Sequence, residues 1–312
     1  MRLKIAVMGC GGIGGYLAVR LGTAGHRLHL IARGPHLEAI RKQGLSLKSD
    51  LGDASFQPQG ASSDPAAFGA MDYVIFTVKG QDSAEAAAAL TPLIGPETTV
   101  VGFQNGLRGL EILGETLGAE RVLAGVTYLP AVIEAPGRIR HTGRVDRFVF
   151  GEPEGPVTPR VARLAEALQG AGVTADAVAD GLAACWHKFI MLAPFSGISC
   201  LTRADLGVWR SEAETAQLYR EGMEEVAAVA RAQGVAIDPD IVAKNHAFTL
   251  EQADPRTRAS LLSDLERGRP LELESLSGYV AREGRRLGVA TPVNAMIYAC
   301  LKPFIAGGAP GA

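Results

Sequence analysis

Three glycines, one lysine set among apolar residues, and one glutamate are where this chain's residue types and spacing point to chemistry. Gly9-Cys10-Gly11-Gly12-Ile13-Gly14 has the spacing G-x-G-x-x-G. It follows the apolar run Ile5-Ala6-Val7-Met8 and opens a helix-like segment over 13–24, the context in which this spacing cradles a dinucleotide. Gly9 makes the tight turn, Gly11 lets backbone approach a pyrophosphate, and Gly14 lets helix pack closely on strand. Cys10, Gly12 and Ile13 complete a turn whose helix N-terminus faces the phosphates. A second strand, read over 26–32, ends in Arg33, where NAD sites usually place a carboxylate for the ribose 2′-hydroxyl. A carboxylate repels a 2′-phosphate, whereas a guanidinium pairs with it through two parallel hydrogen bonds, so the expected cofactor is NADP(H).

Beyond this motif the candidates are weaker taken singly. Lys79 ends the apolar run 73–78, and Asn105 sits in Phe103-Gln104-Asn105-Gly106; both follow strands whose carboxyl ends point to the ligand crevice of an open α/β sheet. A snorkelling lysine and a plain Asn-Gly turn account for the same residues. Lys188 lies in Cys185-Trp186-His187-Lys188-Phe189-Ile190, among residues that favour burial. A lysine held in a partly dry site has a lowered pKa and serves as a general acid near neutral pH, although an exposed helix face also explains it. Glu272 and Glu274 follow an Arg-Gly-Arg-Pro break and suit the first turn of a helix beginning near Pro270.

The elements that must position these groups fall into two patterns that divide near residue 178. Strand-like runs alternate with helical segments at 5–8, 28–32, 73–78, 99–103 and 122–126, which predicts a parallel, doubly wound sheet. Runs at 132–134, 138–141 and 147–151 then predict an antiparallel edge, followed by a helix over 159–169 and a short strand near 173. From 181 onward the periodicity is helical: 182–192, 197–201, 211–233, 241–248, 271–287 and 295–304. The fold class is therefore α/β, with a Rossmann-like dinucleotide-binding domain over 1–177, an all-helical domain over 178–306 for substrate and dimerisation, and a Gly/Pro/Ala tail over 307–312 expected to be disordered.

Composition narrows the function. The 312 residues carry a net charge of −2, which offers no footprint for nucleic acid; Arg138, Arg140, Arg144 and Arg147, the densest basic group, read as a solvated strand face. The four cysteines, Cys10, Cys185, Cys200 and Cys300, are far apart and form neither a disulfide framework nor a metal site. Reduced thiols and the lack of a leader or membrane span predict a cytoplasmic protein.

Together these residues resemble the ketopantoate reductase (2-dehydropantoate 2-reductase) family. The match consists of the glycine motif, Arg33, Val78-Lys79, Gln104-Asn105-Gly106, Trp186-His187-Lys188-Phe189, and Ser260-Leu261-Leu262-Ser263-Asp264 followed eight residues later by Glu272. The resemblance implies that NADPH lies on the first domain, that Lys188 is the general acid, and that Glu272 orients a 2-oxo acid and borders the cofactor. It implies that Lys79, Asn105 and Ser260 line the site and that Arg33 holds the 2′-phosphate. In the family an Asn usually follows the lysine by four residues and another by eight, at positions that contact substrate; this chain has Leu192 and Ser196 there. A different 2-oxo acid or ketone is thus an alternative substrate to ketopantoate. A 3-hydroxyacid dehydrogenase and a non-catalytic NADPH-binding regulatory protein are the competing readings, and the long apolar helices of the second domain suit either its core or a homodimer face.

Overall fold

The computed structural model of the chain describes residues 2–308. Met1 and 309–312 lie outside the described residues, and with the latter most of the tail expected to be disordered. Gly307 and Gly308 are described, and their N–H groups donate to the carbonyls of Phe304 and Gly268 at 3.0 Å each.

The chain forms two units, Met1–Gln104 with Gly109–Ala184, and Asn105–Arg108 with Cys185–Ala312. The first contains β1 (Lys4–Met8), α1 (Gly12–Thr23), β2 (Arg27–Ile31), α2 (Gly34–Gln43), β3 (Leu45–Ser49), β4 (Ala54–Phe56), β5 (Gly60–Ser62), β6 (Tyr73–Phe76) and α3 (Ser83–Ala88). It continues with β7 (Thr99–Gly102), α4 (Arg108–Leu117), β8 (Val122–Tyr128), β9 (Ala131–Ala135), β10 (Arg138–His141), β11 (Arg147–Gly151), α5 (Pro159–Gly170) and β12 (Thr174–Ala177).

Eight strands form one sheet in the order β12-β11-β8-β7-β6-β1-β2-β5. From β5 to β8 every pairing is parallel, with Ile5 of β1 opposite Leu28 on one side and Tyr73 on the other. The chain winds outward from β1 through β2 to β5 and then returns to β6 on β1's other side. The reversal makes the carboxyl ends of β1 and β6 the topological switch point, where such sheets bind ligands. Helices cover both faces, so Ile5, Val7, Val74, Ile75 and Val101 are all fully buried and the central strands read as unbroken apolar runs.

The antiparallel edge differs from the sequence expectation. Only β11 pairs antiparallel with β8, and β12 adds to it in parallel. β9 and β10 instead join a second sheet of order β4-β3-β10-β9. With β11 occupying the edge of β8, the intervening hairpin has no place on the main sheet, and Ile139 of β10 packs against Gly15 of α1. β3, β4 and β5 escape sequence reading because LSLKS, ASF and GAS are short and mostly polar or small. The arginines of this region disperse into ion pairs, Arg140 with Glu134 at 2.7 Å and Arg147 with Asp176 at 2.5 Å, as a solvated face would.

Every described element after β12 is helical: α6 (Gly181–Thr202), α7 (Leu206–Trp209), α8 (Ala213–Ala232), α9 (Ile241–Ala247) running into a π-helical stretch Phe248–Gln252, α10 (Ser260–Glu266), α11 (Ser277–Leu287) and α12 (Pro292–Leu301). The first turn of α6 clusters with the first unit, so the division falls after Ala184 rather than at 177. A Cβ on Gly181 would come within 2.8 Å of backbone at Ala124 and Gly151, which ties that turn to the sheet.

Two helix boundaries correct the sequence reading. The helices expected over 182–192 and 197–201 are one, with Pro194 of the expected gap lying inside it. Pro194 lacks the N–H that would bond to Ile190, yet packing holds the line: Gly222 of α8 lies against the Pro194 ring and Ile297 of α12 against Gly197, both too close to admit a side chain. Conversely, the single helix expected over 271–287 breaks at Leu276, with φ −111° and ψ −114°, into a 3₁₀ turn Glu272–Ser275 and α11. No described helix is long and apolar enough to cross a membrane.

Candidate active site

The glycine turn closes the carboxyl end of β1. Gly9 has φ +92°, and a Cβ there would lie 2.7 Å from the Val78 amide nitrogen, so only glycine fits. A Cβ on Gly14 would lie 2.4 Å from both the Gly9 carbonyl and Thr77 Oγ1, and one on Gly12 2.1 Å from the Ala131 carbonyl. At Gly11 the corresponding space is open, with nothing within 4 Å. Three glycines thus permit close packing and the fourth leaves room for a ligand.

Gly11 is also the N-cap of α1, and no side chain caps that helix. The N–H groups of Gly12, Ile13 and Gly14 in its first turn have no intrahelical acceptor and suit a pyrophosphate. The turn is fixed from behind: Gly9 and Cys10 N–H donate to the Ile31 carbonyl at 3.2 and 3.3 Å, and Thr77 Oγ1 donates to the Gly9 carbonyl at 2.7 Å. Burial pushes the Cys10 thiol up to about 12, so it remains protonated and serves as a small filler.

Arg33 follows β2 as the N-cap of α2, exposed to solvent. Its partner is Glu85 at 3.6 Å, an exposed pair of the kind that contributes little, which leaves the guanidinium available to a phosphate. Lys79, exposed, precedes the turn Gly80–Asp82 after β6. Gln104, quoted in the sequence motif without a role, donates through Nε2 to the Val78 carbonyl at 2.7 Å and to Ser83 Oγ at 2.8 Å, joining the segments after β6 and β7. The residues at this edge fit the dinucleotide that their spacing predicts.

The second cluster lies in the helical unit. Lys188 is on α6, partly exposed, between Trp186 and Phe189, which are buried and pack edge-on at 5.7 Å. Tyr279 of α11 meets both rings, and this anchor fixes the rotation of α6. Lys188 Nζ donates to Asn105 Oδ1 at 3.0 Å. Gly106, at φ +81°, lets the Asn105 segment approach the Ser275 carbonyl, from which a Cβ would stand only 2.2 Å. Burial lowers the lysine to about 8, and the electrostatic influence of Cys185 and Glu272 opposes that shift. Glu272 is therefore electrostatically coupled to the amine, from a 3₁₀ turn rather than from the helix expected. Glu274 is engaged elsewhere, accepting from Tyr298 Oη at 2.7 Å and Lys302 Nζ at 2.6 Å, so it caps no helix.

The remaining sequence candidates are placed differently. Leu192 is partly exposed one turn after Lys188, whereas Ser196 is 1% exposed on the packed side of α6. Eight residues at 3.6 per turn rotate Ser196 about 80° away from the lysine, and the structure does not bring it to that face. Ser260 is exposed at the start of α10. Among the described residues no group of three His, Cys, Asp or Glu side chains is arranged to hold a metal.

Models of known families match both units: ketopantoate reductase PanE/ApbA over residues 5–155 and its C-terminal part over 180–304. The chain is 35% identical over 311 residues to the 2-dehydropantoate 2-reductase of Mesorhizobium japonicum, covering 93% of this chain and 94% of that one. It is 32% identical over 307 residues to the uncharacterized oxidoreductase YkpB of Bacillus subtilis, covering 97% and 99%. Among solved structures, the PanE/ApbA family ketopantoate reductase from Ralstonia eutropha JMP134 is similar with a TM-score of 0.88 at 33% identity, over 96% of this chain and 98% of that one. Since both parts of one family model match, over a glycine cradle suited to a dinucleotide and a lysine lowered to about 8 by burial, the chain belongs to the ketopantoate reductase family and is an NADP-dependent oxidoreductase acting on CH–OH donors.

Proposed function

We propose that the protein reduces the keto group of a small 2-oxo acid with NADPH, and that 2-dehydropantoate, yielding pantoate for pantothenate biosynthesis, is the first substrate to test. The observation that carries this reading is Lys188, whose amine is shifted to about 8 and directed by Asn105 Oδ1 at 3.0 Å. An acid of that strength is largely protonated near neutral pH and still gives up its proton readily. The nicotinamide, when bound, supplies hydride to the keto carbon. The carbonyl π pair moves onto oxygen, and Lys188 Nζ delivers the proton that completes the alcohol. As an ammonium it also stabilises the developing alkoxide. Asn105, by accepting one N–H, orients the others, and Glu272 holds the amine in its charged form. In this reading Arg33 takes the 2′-phosphate, Lys79 lines the cofactor site, and Asn105 and Ser260 hold the substrate's carboxylate and hydroxyl groups.

Exposed Val208, Phe248 and Met296 give the helical unit apolar surface for a homodimer, which a mass measurement in solution checks. Four free cysteines suit the reducing cytoplasm.

The deciding experiment follows NADPH absorbance with 2-dehydropantoate and a panel of 2-oxo acids. Turnover on at least one is expected. Tight NADPH binding with no turnover on any would instead indicate a regulatory binder, and NADP reduction by 3-hydroxy acids alone would indicate the other dehydrogenase class.

A further inference from the structure

The face of α6 that carries Lys188 continues in apolar residues. Met191, Leu192 and Phe195 follow it at three, four and seven residues, and all are partly exposed, while Phe189, Ile190 and Ala193 on the opposite stripe are at most 1% exposed. At 3.6 residues per turn Leu192 is rotated only about 40° from Lys188 and lies roughly 6 Å along the axis.

Two polar side chains of α6 that flank this face, His187 and Ser199, are both engaged. The backbone N–H of Asp238 donates to His187 Nε2 at 3.3 Å, on the flank of the helix. Ser199 is fully buried and accepts from Trp209 Nε1 at 3.1 Å. The next groups along α6 on the amine's side thus offer a substrate no hydrogen bond.

We propose that Leu192 determines specificity: the group attached to the keto carbon lies against Leu192, so the enzyme prefers 2-oxo acids with an unfunctionalised branched alkyl substituent over their hydroxylated counterparts. This rests on the 2-oxo acid reading above. A substrate whose keto oxygen meets Lys188 Nζ and whose carboxylate is drawn to polar donors has its alkyl end left for the apolar side. A hydroxyl placed there exchanges water for a leucine methyl. An apolar site disfavours a hydroxylated isostere by roughly tenfold to a hundredfold.

The test compares kcat/KM for trimethylpyruvate with that for 2-dehydropantoate, which is the same molecule bearing one hydroxyl. The wild-type protein is expected to favour trimethylpyruvate at least tenfold, and Leu192→Asn to move the ratio at least tenfold toward 2-dehydropantoate. Equal rates, a wild-type preference for 2-dehydropantoate, or a ratio unmoved by Leu192→Asn would overturn the proposal while leaving the reductase reading intact. Turnover of neither acid, nor of any other 2-oxo acid, removes that reading and this inference together. The wild-type ratio is informative even if the variant fails to fold.

Discussion

The glycine cradle and the lysine cluster solve opposite problems. The cradle is six consecutive residues whose contribution is mostly backbone, with its shape set by where side chains are missing: Gly9, Gly12 and Gly14 admit close neighbours, and Gly11 leaves a gap. The lysine cluster is made of side chains that meet only after folding, Lys188 and Asn105 being 83 residues apart. Changes in the first region should act through space and shape, and changes in the second through charge.

The largest expected effect separates the two regions outright. Lys188→Ala should lower kcat/KM by roughly 10²- to 10⁴-fold, the usual contribution of a positioned acid, with NADPH affinity by calorimetry unchanged. A parallel loss of NADPH affinity would show that the regions are not separable.

Within the cradle, Gly11→Ala and Gly14→Ala make a sharper pair. Gly11→Ala should leave the melting temperature of the free protein nearly unchanged, because its Cβ meets nothing, yet weaken NADPH by roughly tenfold or more where the pyrophosphate approaches. Gly14→Ala should lower both, since forcing atoms into a packed site costs about 1–3 kcal/mol. Equal melting temperatures would refute the distinction between packing and ligand-facing glycines. Arg33→Ala should weaken NADPH roughly tenfold to a hundredfold, the worth of a charge-assisted contact, and leave NADH affinity as it was. Equal weakening of both cofactors would place Arg33 elsewhere than on the 2′-phosphate.

The smallest effect concerns pH. Burial holds Lys188 at about 8, below the 10.5 of an ordinary lysine, so the ammonium is present below about 8 and turnover should fall as pH rises through it. Between these two values the unfolded chain binds a proton that the folded one does not, so this group's contribution to stability rises with pH across that window. Asn105→Ala removes an acceptor that favours the ammonium, and the alkaline limb of kcat/KM should move down by about one unit or less. A limb that stays in place would mean that Asn105 does not tune the amine.

Much of the first region was legible in advance because it depends on local order: an apolar strand, a turn that only glycine can make, and a helix that starts without a side-chain cap. Thr77 and Gln104 had no such signal, since the groups they bind are carbonyls and a hydroxyl brought near by the sheet. The same limit explains the second sheet: β3 and β4 lack strong strand character alone, and β3, which pairs with β4, is held by β10, about 90 residues on. Pro194 misled in the other direction, because a helix-breaking preference of about 3 kcal/mol yields when Gly222 packs against its ring.

By itself the amino-acid sequence determined the cofactor cradle, the alternation that makes a doubly wound sheet and the helical character of the rest, because each follows from neighbours along the chain. Only the tertiary structure decided which polar residues act together. It brought Asn105 to Lys188, set Glu272 on a short turn coupled to the amine, turned Ser196 into the core and left Leu192 one turn from the lysine. Helix rotation and side-chain burial are properties of packing, and spacing alone does not reveal which face the packing takes.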